Sequence, residues 1–186
     1  MIDLLELEGF LDDATRAGLV AELDAAHATP STVLSGEAGG RVDTAARRSK
    51  RIAASAETRE MIRERLMARK AEIEAHFGIA VTECEEPQFL RYETGDYFVP
   101  HQDGNTPMVW DDSRFRRISI VIFLSRMAGE LEPDSYGGGM LVFHVPGMRA
   151  AADATPGSLV AFRSETTHEV TPVTHGVRYT IATWFR

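Results

Sequence analysis

The chain has 186 residues, a formal net charge of −8 from 20 Lys and Arg against 28 Asp and Glu, and 44% hydrophobic residues. This length and composition predict one folded domain with a proper hydrophobic core and exclude a disordered chain. The single cysteine, Cys84, excludes an internal disulfide, a zinc ribbon and an iron–sulfur cluster.

The distribution of charge and apolar residues bears on location and partners. The sequence has no run of about 18 apolar residues and no basic leader, so we expect no membrane span, no secretory signal and a cytoplasmic location. The acidic total argues against broad nucleic-acid binding. Residues 41–70 nevertheless form a basic island with a net charge of +6, whereas the rest of the chain carries −14. Such an island is typical of a solvated loop and an exposed helix, or of a flap over residues 41–51 that meets an acidic substrate or partner.

Two helices are predicted within residues 1–80. The first begins at Asp12 or Asp13, which can cap its amino terminus, and continues through apolar residues at helical spacing. Residues 29–40 are rich in Gly, Ser and Thr and are predicted to form a loop. The second helix is predicted from Ser55 to Phe77 and ends at a glycine.

From residue 87 onward the pattern changes to short strands separated by Pro and Gly turns. Six to eight strands are expected, and the clearest segments are 87–94, 117–125, 139–145, 157–163, 167–173 and 177–186. Helices followed by strands predict an α+β chain whose β part is a sandwich or a jelly roll. We expect a single domain over 1–186, with helices and a basic loop in 1–80 and the β core in 87–186.

A histidine and an aspartate stand two residues apart at the start of the β-rich region. On an extended chain His101 and Asp103 point to the same side and can reach one ion, although Asp103 also begins a good turn sequence. His168 opens a later strand, and Arg178 follows on the next strand. Two histidines and one carboxylate suit Fe(II), with three coordination positions left open, and zinc or copper is also compatible with these ligands. Arg178 favours Fe(II) with an organic acid, because a guanidinium binds carboxylates and cannot ligate a metal.

Several segments that contain these residues resemble one enzyme family. They are FLRYETGDYFVPHQDGN (89–105), RRISIVIFLS (116–125), GGGMLVFH (137–144), PGSLVAF (156–162) and THEVTPVTHGVRYTIATWF (167–185). Over residues 88–186 the chain resembles the catalytic domain of Fe(II)/2-oxoglutarate-dependent oxygenases. Among these enzymes it is most similar to the prolyl 4-hydroxylases of the collagen and hypoxia-sensing types.

The resemblance implies a fold, a set of cofactors and the residues that bind them. The fold is a double-stranded β-helix, or jelly roll, with N-terminal supporting helices. His101, Asp103 and His168 would hold Fe(II), Arg178 would bind the C5 carboxylate of the cosubstrate 2-oxoglutarate, and Tyr92 would hydrogen-bond cosubstrate or substrate. O₂ would be the oxidant, with ascorbate as a reductant. The activity implied is hydroxylation of an unactivated C–H bond, such as that of a prolyl residue, with release of succinate and CO₂.

One position departs from the family pattern. Related enzymes often carry a tyrosine near the end of the strand over 117–125 that helps to hold the C5 carboxylate, and the equivalent here is Phe123. Thr180, Ser119 or Tyr92 would then have to supply the missing hydroxyl group.

The resemblance also suggests residues that contact the substrate. On the last strand Trp184 shares a face with Arg178, where it would either line the site or serve as a core tryptophan. Arg47 and Arg48 lie where related enzymes have a loop that covers the substrate.

Competing functions remain open at this point. The fold also suits a non-catalytic metal-binding or small-molecule-binding sensor, and a metal-dependent cupin-type enzyme without a cosubstrate. A prolyl residue in a protein, a small peptide and a small molecule are all compatible substrates, and the sequence leaves the oligomeric state open.

Overall fold

The computed structural model describes residues 2–33, 41–107 and 111–186, and all statements below concern these residues. The helices are α1 (Asp13–Ala25), α2 (Ala56–Ala68) and α3 (Lys70–Phe77), with a 3₁₀ turn at Asp112–Phe115. The strands are β1 (Leu4–Leu7), β2 (Ala28–Pro30), β3 (Arg47–Arg48), β4 (Lys50–Ile52), β5 (Gln88–Tyr92), β6 (Tyr97–His101), β7 (Ile118–Phe123), β8 (Arg126–Met127), β9 (Ser135–Gly138), β10 (Leu141–Val145), β11 (Met148–Ala151), β12 (Leu159–Arg163), β13 (Thr167–Val170), β14 (Val173–Gly176) and β15 (Arg178–Phe185).

The two larger sheets enclose the interior of the protein. The seven-stranded sheet has the order β1-β12-β7-β15-β5-β4-β2, and the five-stranded sheet has the order β11-β10-β13-β6-β3. Every strand pairing within these two sheets is antiparallel among the described residues. Phe123 and Phe162 of the first sheet pack with Phe143 of the second in one apolar cluster. This arrangement confirms the predicted α+β chain with a jelly-roll core.

The helices cover the outer face of the seven-stranded sheet. In β7 the residues Ile118, Ile120 and Ile122 belong to the cluster that contains Leu23 of α1 and Ile62 of α2. The intervening residues of β7 therefore point into the interior between the sheets, because successive side chains of a strand lie on opposite faces. This alternation decides which residues can reach the functional site.

The first helix begins where the sequence predicts. The side chain of Asp12 accepts a hydrogen bond from Thr15 N at 2.8 Å and caps α1.

The second predicted helix is divided in two at Arg69. Ser55 caps α2 through Thr58 N, and Gly78 ends α3 in the left-handed conformation. Leu66 and Ile73 are both fully buried. An uninterrupted helix would place the position of Arg69 on the same apolar face, and the break leaves this arginine half exposed at 50%.

All six predicted strands are present, and each is shorter than its predicted segment. The remaining strands were missed because most are two to four residues long, too short to show alternation. Strand β2 occupies the beginning of the predicted loop over 29–40, and residues 34–40 of that loop lie outside the described residues. The basic island contributes β3 to one sheet and β4 to the other. No helix in the described chain is long and apolar enough to cross a membrane.

Candidate metal and cosubstrate site

Two neighbouring strands of the five-stranded sheet bring the predicted histidines together. His101 on β6 lies directly opposite His168 on β13 in the antiparallel register. Directly opposite residues project from the same face, so both imidazoles enter the interior. Asp103 follows two residues after His101, and its backbone N–H donates to Ser164 O at 2.9 Å. The strand pairing and this loop contact together place one carboxylate beside two imidazoles.

Both imidazoles present the same nitrogen atom to the carboxylate. His101 Nδ1 lies 2.8 Å from Val99 O, and His168 Nδ1 lies 2.9 Å from Thr166 O. A carbonyl oxygen only accepts hydrogen bonds, so each Nδ1 carries the proton and each Nε2 is left with a free lone pair. Both Nε2 atoms lie 3.5 Å from oxygen atoms of Asp103.

Asp103 is held in its ionised form and in one orientation. Ser119 Oγ donates to Asp103 Oδ2 at 2.7 Å, and the hydroxyl of Ser164 lies 3.0 Å from Ser119 Oγ. Burial by itself raises the pKa of Asp103, but His168 and His101 outweigh this effect and hold the pKa well below its usual range. A β-carbon at Gly104 would lie 2.2 Å from Ser113 O, so only glycine fits directly after this aspartate.

His168 remains neutral at physiological pH. Burial, with a smaller contribution from the nearby His101, lowers the pKa of His168 to about 4. Metal binding requires the neutral imidazole, so the protein environment itself favours the state that binds a metal.

The geometry of the three residues fits a metal ion. One ligand atom from each of His101, Asp103 and His168 lies within 4.8 Å of the other two. Two imidazole nitrogens and one carboxylate oxygen form the set that non-haem Fe(II) prefers, with positions left open for other ligands. The structure thus brings together all three residues that the H-x-D pair and the distal histidine indicate.

Arg178 lies at the buried inner end of the same cavity. Only 1% of this residue is exposed, and its Nη1 donates to Thr180 Oγ1 at 3.2 Å. Its Nε is buried without a hydrogen-bond partner, and no carboxylate of the described chain forms an ion pair with it. The guanidinium lies over the rings of Tyr92 and Phe123, with Cζ at 5.1 and 5.7 Å from the ring centroids. A buried, unpaired guanidinium is costly, so this end of the cavity is arranged for an anion.

Strand register places a hydroxyl group beside Phe123. Thr180 on β15 lies directly opposite Phe123 on β7, and both residues are 1% exposed. Thr180 therefore presents a hydroxyl group on the inward face at the register position of the phenylalanine. Tyr92 lies opposite Arg178 in the next row of the same sheet.

Trp184 lines the cavity near its opening, and its ring is covered by a guanidinium. Arg116 Cζ lies 3.5 Å from the centroid of the Trp184 ring. Glu85 holds Arg116 through two hydrogen bonds of 2.9 and 2.7 Å, and it also accepts one from Arg186 at 2.8 Å. Trp184 is 7% exposed, so it is both a cavity residue and a packed one.

A cleft of about 1240 Å³ joins the metal ligands, Arg178 and the opening. Arg47 lines this cleft, whereas Arg48 does not line it and lies 3.8 Å from Asp96. Arg51 also lines the cleft; it belongs to the predicted basic flap over residues 41–51 but was not singled out as a substrate contact. The alternation of Arg47, Ser49 and Arg51 is a signal that would have identified it, because residues two apart in a strand share a face.

Comparison with known proteins identifies the group of proteins that this chain resembles. The family model described as the 2OG-Fe(II) oxygenase superfamily matches residues 87–186. A PKHD-type hydroxylase of Maricaulis maris is 30% identical over 190 residues, covering 99% of this chain and 69% of that protein. A PKHD-type hydroxylase of a Shewanella species is 32% identical over 127 residues, covering 68% of this chain and 53% of that protein.

Two solved structures share the fold across the whole chain. A prolyl-4-hydroxylase of Pseudomonas putida gives a TM-score of 0.74 at 22% identity, covering 100% of this chain and 93% of that one. A prolyl hydroxylase of Trichoplax adhaerens gives a TM-score of 0.74 at 16% identity. It was solved with a peptide fragment of the hypoxia-inducible factor oxygen degradation domain. That alignment covers 100% of this chain and 84% of the other.

Proposed function

This chain belongs to the 2OG-Fe(II) oxygenase superfamily, and we propose that its cavity hydroxylates an unactivated C–H bond of a bound substrate. In the balanced reaction one oxygen atom of O₂ enters the substrate as a hydroxyl group. The other enters succinate, which forms as 2-oxoglutarate loses CO₂. One observation carries the proposal: the buried, unpaired guanidinium of Arg178 faces the same cavity as the three metal ligands.

The three metal ligands would bind Fe(II), and the inner end of the cavity would bind 2-oxoglutarate. His101 and His168 would ligate Fe(II) through Nε2, and Asp103 through its carboxylate. Bound Fe(II) supplies the activation of O₂ that an unactivated C–H bond requires. Ser119 holds the carboxylate of Asp103 in place by donating a hydrogen bond to it.

Arg178 and Thr180 would bind the far carboxylate of 2-oxoglutarate. A guanidinium pairs with a carboxylate through two parallel hydrogen bonds, and the Thr180 hydroxyl supplies a further donor beside it. The ring of Tyr92 packs against the guanidinium, and its hydroxyl group would hydrogen-bond cosubstrate or substrate. The surrounding Phe123 and Leu90 side chains are buried and apolar, so they exclude water from the reacting groups.

The substrate occupies the outer part of the cavity, between the metal ligands and the opening. Prolyl hydroxylases share the fold, and one of them is solved with a peptide, so a prolyl residue is the first substrate to test. A small-molecule substrate is the alternative, because loops at the cavity opening determine selectivity in such folds. Ascorbate is proposed only as an external reductant that keeps iron in the Fe(II) state.

We further propose a cytoplasmic location. The single cysteine, Cys84, is a free thiol, as expected of a protein in a reducing compartment. Fractionation of the source cells followed by immunodetection tests this location.

The decisive experiment measures succinate release. The protein is loaded with Fe(II) and 2-oxoglutarate under nitrogen, and O₂ is then added. We expect the wild-type chain to release succinate, and the variants His101→Ala and Asp103→Ala to lose this activity. Asp153→Ala, which removes an exposed aspartate outside the cavity, is the matched control.

The outcomes separate the proposed enzyme from a binding module. Full succinate release by Asp103→Ala would contradict the assignment of the metal ligands. No release by the folded, iron-loaded wild-type protein would instead favour a non-catalytic sensor. A screen of prolyl peptides and small acids for products 16 mass units heavier then identifies the substrate.

A further inference from the structure

The cavity opening carries two arginines without carboxylate partners in the described chain. Resting on the proposed function, we propose that Arg47 and Arg51 form a carboxylate-binding subsite, so that the hydroxylated substrate itself carries a carboxylate. The carboxylate is either the free acid group of a small molecule or the side chain of Asp or Glu in a peptide.

The chain segment that carries these arginines crosses from one sheet to the other. Strand β3 pairs with β6 in the five-stranded sheet, and β4 pairs with β5 in the seven-stranded sheet. Alternate residues of the segment share a direction, so Arg47 and Arg51 both face the cavity. Arg48 and Lys50 face away from the cavity. Arg48 Nε lies 3.8 Å from Asp96 Oδ1, and Lys50 Nζ lies 2.6 Å from Glu93 Oε2.

Arg47 is held in a fixed orientation close to the metal ligands. Its Nε donates to Ser49 Oγ at 2.8 Å, and its Nη1 donates to Thr32 O at 3.4 Å. Its guanidinium lies over Phe98, with Cζ 4.7 Å from the ring centroid. The Phe98 ring in turn stacks on that of His101 at a centroid separation of 3.5 Å. The guanidinium is therefore one aromatic ring away from a metal ligand, and Nη2 remains available to bind a ligand.

Arg51 approaches the same space from the other sheet. It lies opposite Leu90, which lies opposite Thr180, so these three residues form one row on the inward face. Two strand spacings place Arg51 roughly 10 Å from Thr180 along the sheet. A substrate bound by Arg51 and Arg47 would thus extend toward the metal ligands. It would leave the inner end of the cavity, beside Arg178, free for 2-oxoglutarate.

The other arginines at the opening are paired with carboxylates, whereas two aspartates of the lining have no ion pair among the described residues. Arg41 pairs with Asp43 at 2.8 Å, and Arg116 and Arg186 share Glu85. Asp111 accepts hydrogen bonds from the N–H and hydroxyl groups of Ser113, and Asp112 is exposed on the adjoining 3₁₀ turn.

Arg47 and Arg51 are the arginines at the opening for which the described residues supply no ion pair. A carboxylate of a bound substrate is therefore the complementary ligand. Two positive charges without ion-pair partners at one opening favour a bound anion. A bound carboxylate would accept charge-assisted hydrogen bonds from Nη2 of Arg47 and from the guanidinium of Arg51, which selects a carboxylate over a neutral amide of the same shape.

The test compares acids with their own amides. Calorimetric titrations use the full chain with Fe(II) under nitrogen and saturating N-oxalylglycine, which occupies Arg178 and excludes the test acids from it. One arm uses amino acids, N-acetylamino acids and hydroxy acids, each with its primary amide. The other arm uses prolyl peptides with Asp or Glu, each with its Asn or Gln counterpart.

We expect acids to bind wild type about tenfold to a hundredfold more tightly than their amides, as charge-assisted hydrogen bonds predict. The preference should fall to about onefold in the double variant Arg47→Gln/Arg51→Gln. It should persist in Arg48→Gln, a matched loss of charge on the same segment outside the cavity. Circular dichroism and thermal melts establish that the double variant is folded. The arm that contains the tightest acid identifies the source of the carboxylate.

Other outcomes overturn the proposal. It is wrong if no acid binds at millimolar concentration, if acids and amides bind alike, or if the folded double variant keeps the preference. Its failure is distinct from failure of the proposed function, because wild-type succinate release without added substrate depends on the metal ligands and Arg178. If the protein prefers acids but releases no succinate, the carboxylate-binding subsite is supported and the proposed enzymatic function is contradicted.

Discussion

The inner end and the opening of the cavity both hold arginines without carboxylate partners in the described chain, but they do so in different ways. At the inner end a single guanidinium, that of Arg178, is buried on β15, the longest of the strands described above. At the opening, Arg47 and Arg51 lie on strands of two and three residues, and Arg51 is exposed. A cation is expensive to bury, so the inner end requires a rigid frame, whereas the opening tolerates change.

The difference indicates where shared chemistry and selectivity reside. The inner end is built from β5, β7 and β15, which pair on both sides and hold each side chain in a fixed row. Substitutions there should affect the use of 2-oxoglutarate, which every substrate requires. Substitutions at the opening should change which substrates bind.

The largest effect is expected from Arg178→Gln. Loss of the charged, paired hydrogen bonds removes about 3 kcal/mol or more of binding free energy and should raise the KM for 2-oxoglutarate about a hundredfold. Steady-state succinate release at varied 2-oxoglutarate measures this change. Arg163→Gln, on β12 and outside the cavity, is the control and should leave KM unchanged. A KM within threefold of wild type in Arg178→Gln would remove the contrast between the two ends.

The next effect concerns the stability of the opening. Glu85 is 14% exposed and pairs with Arg116 and Arg186, so Glu85→Gln should lower the free energy of unfolding by about 2–3 kcal/mol at pH 7. Its neighbour Glu86 is 61% exposed, and Glu86→Gln should cost less than about 1 kcal/mol. Urea denaturation of the three proteins measures the difference.

The loss of unfolding free energy in Glu85→Gln should depend on pH. Burial raises the pKa of Glu85, but the hydrogen bonds from the arginines outweigh burial, and the pKa lies below its ordinary value. The unfolded chain therefore binds a proton at higher pH than the folded chain does, so this stabilisation is complete above about pH 4.3 and is lost below it. The deficit of Glu85→Gln should shrink as the pH falls below that value. A deficit that is constant with pH would indicate packing, not ionisation.

The smallest effect is expected from Thr180→Val at the inner end. Removal of one hydroxyl group, with the shape retained, should raise the KM for 2-oxoglutarate about three- to tenfold. Thr183→Val makes the same change on the opposite face of β15, where Thr183 donates to Glu85 O, and should leave this KM unchanged. Equal values in both variants would argue that the hydroxyl opposite Phe123 does not contact the cosubstrate.

Part of the fold was predictable because its signals are local. Asp12 and Ser55 cap helices at the predicted positions, and the apolar runs around β7 and β15 form strands. The break at Arg69 was not predictable, since it depends on the burial of both flanking helix segments against one sheet. Strands β3 and β4 were missed for a similar reason: their partners β6 and β5 lie about 40 to 50 residues away in sequence.

The sequence by itself limited the chemistry, because residue type and spacing restrict what His101, Asp103, His168 and Arg178 can bind. Only the tertiary structure decided which side chains assist them, because strand register brings together residues that are far apart along the chain. Register placed Thr180 opposite Phe123, sent Arg48 away from the cavity and directed Arg51 into it. A shift of one residue in any of these pairings would reverse every side chain of that strand, so the selectivity of the opening depends on pairings between distant segments.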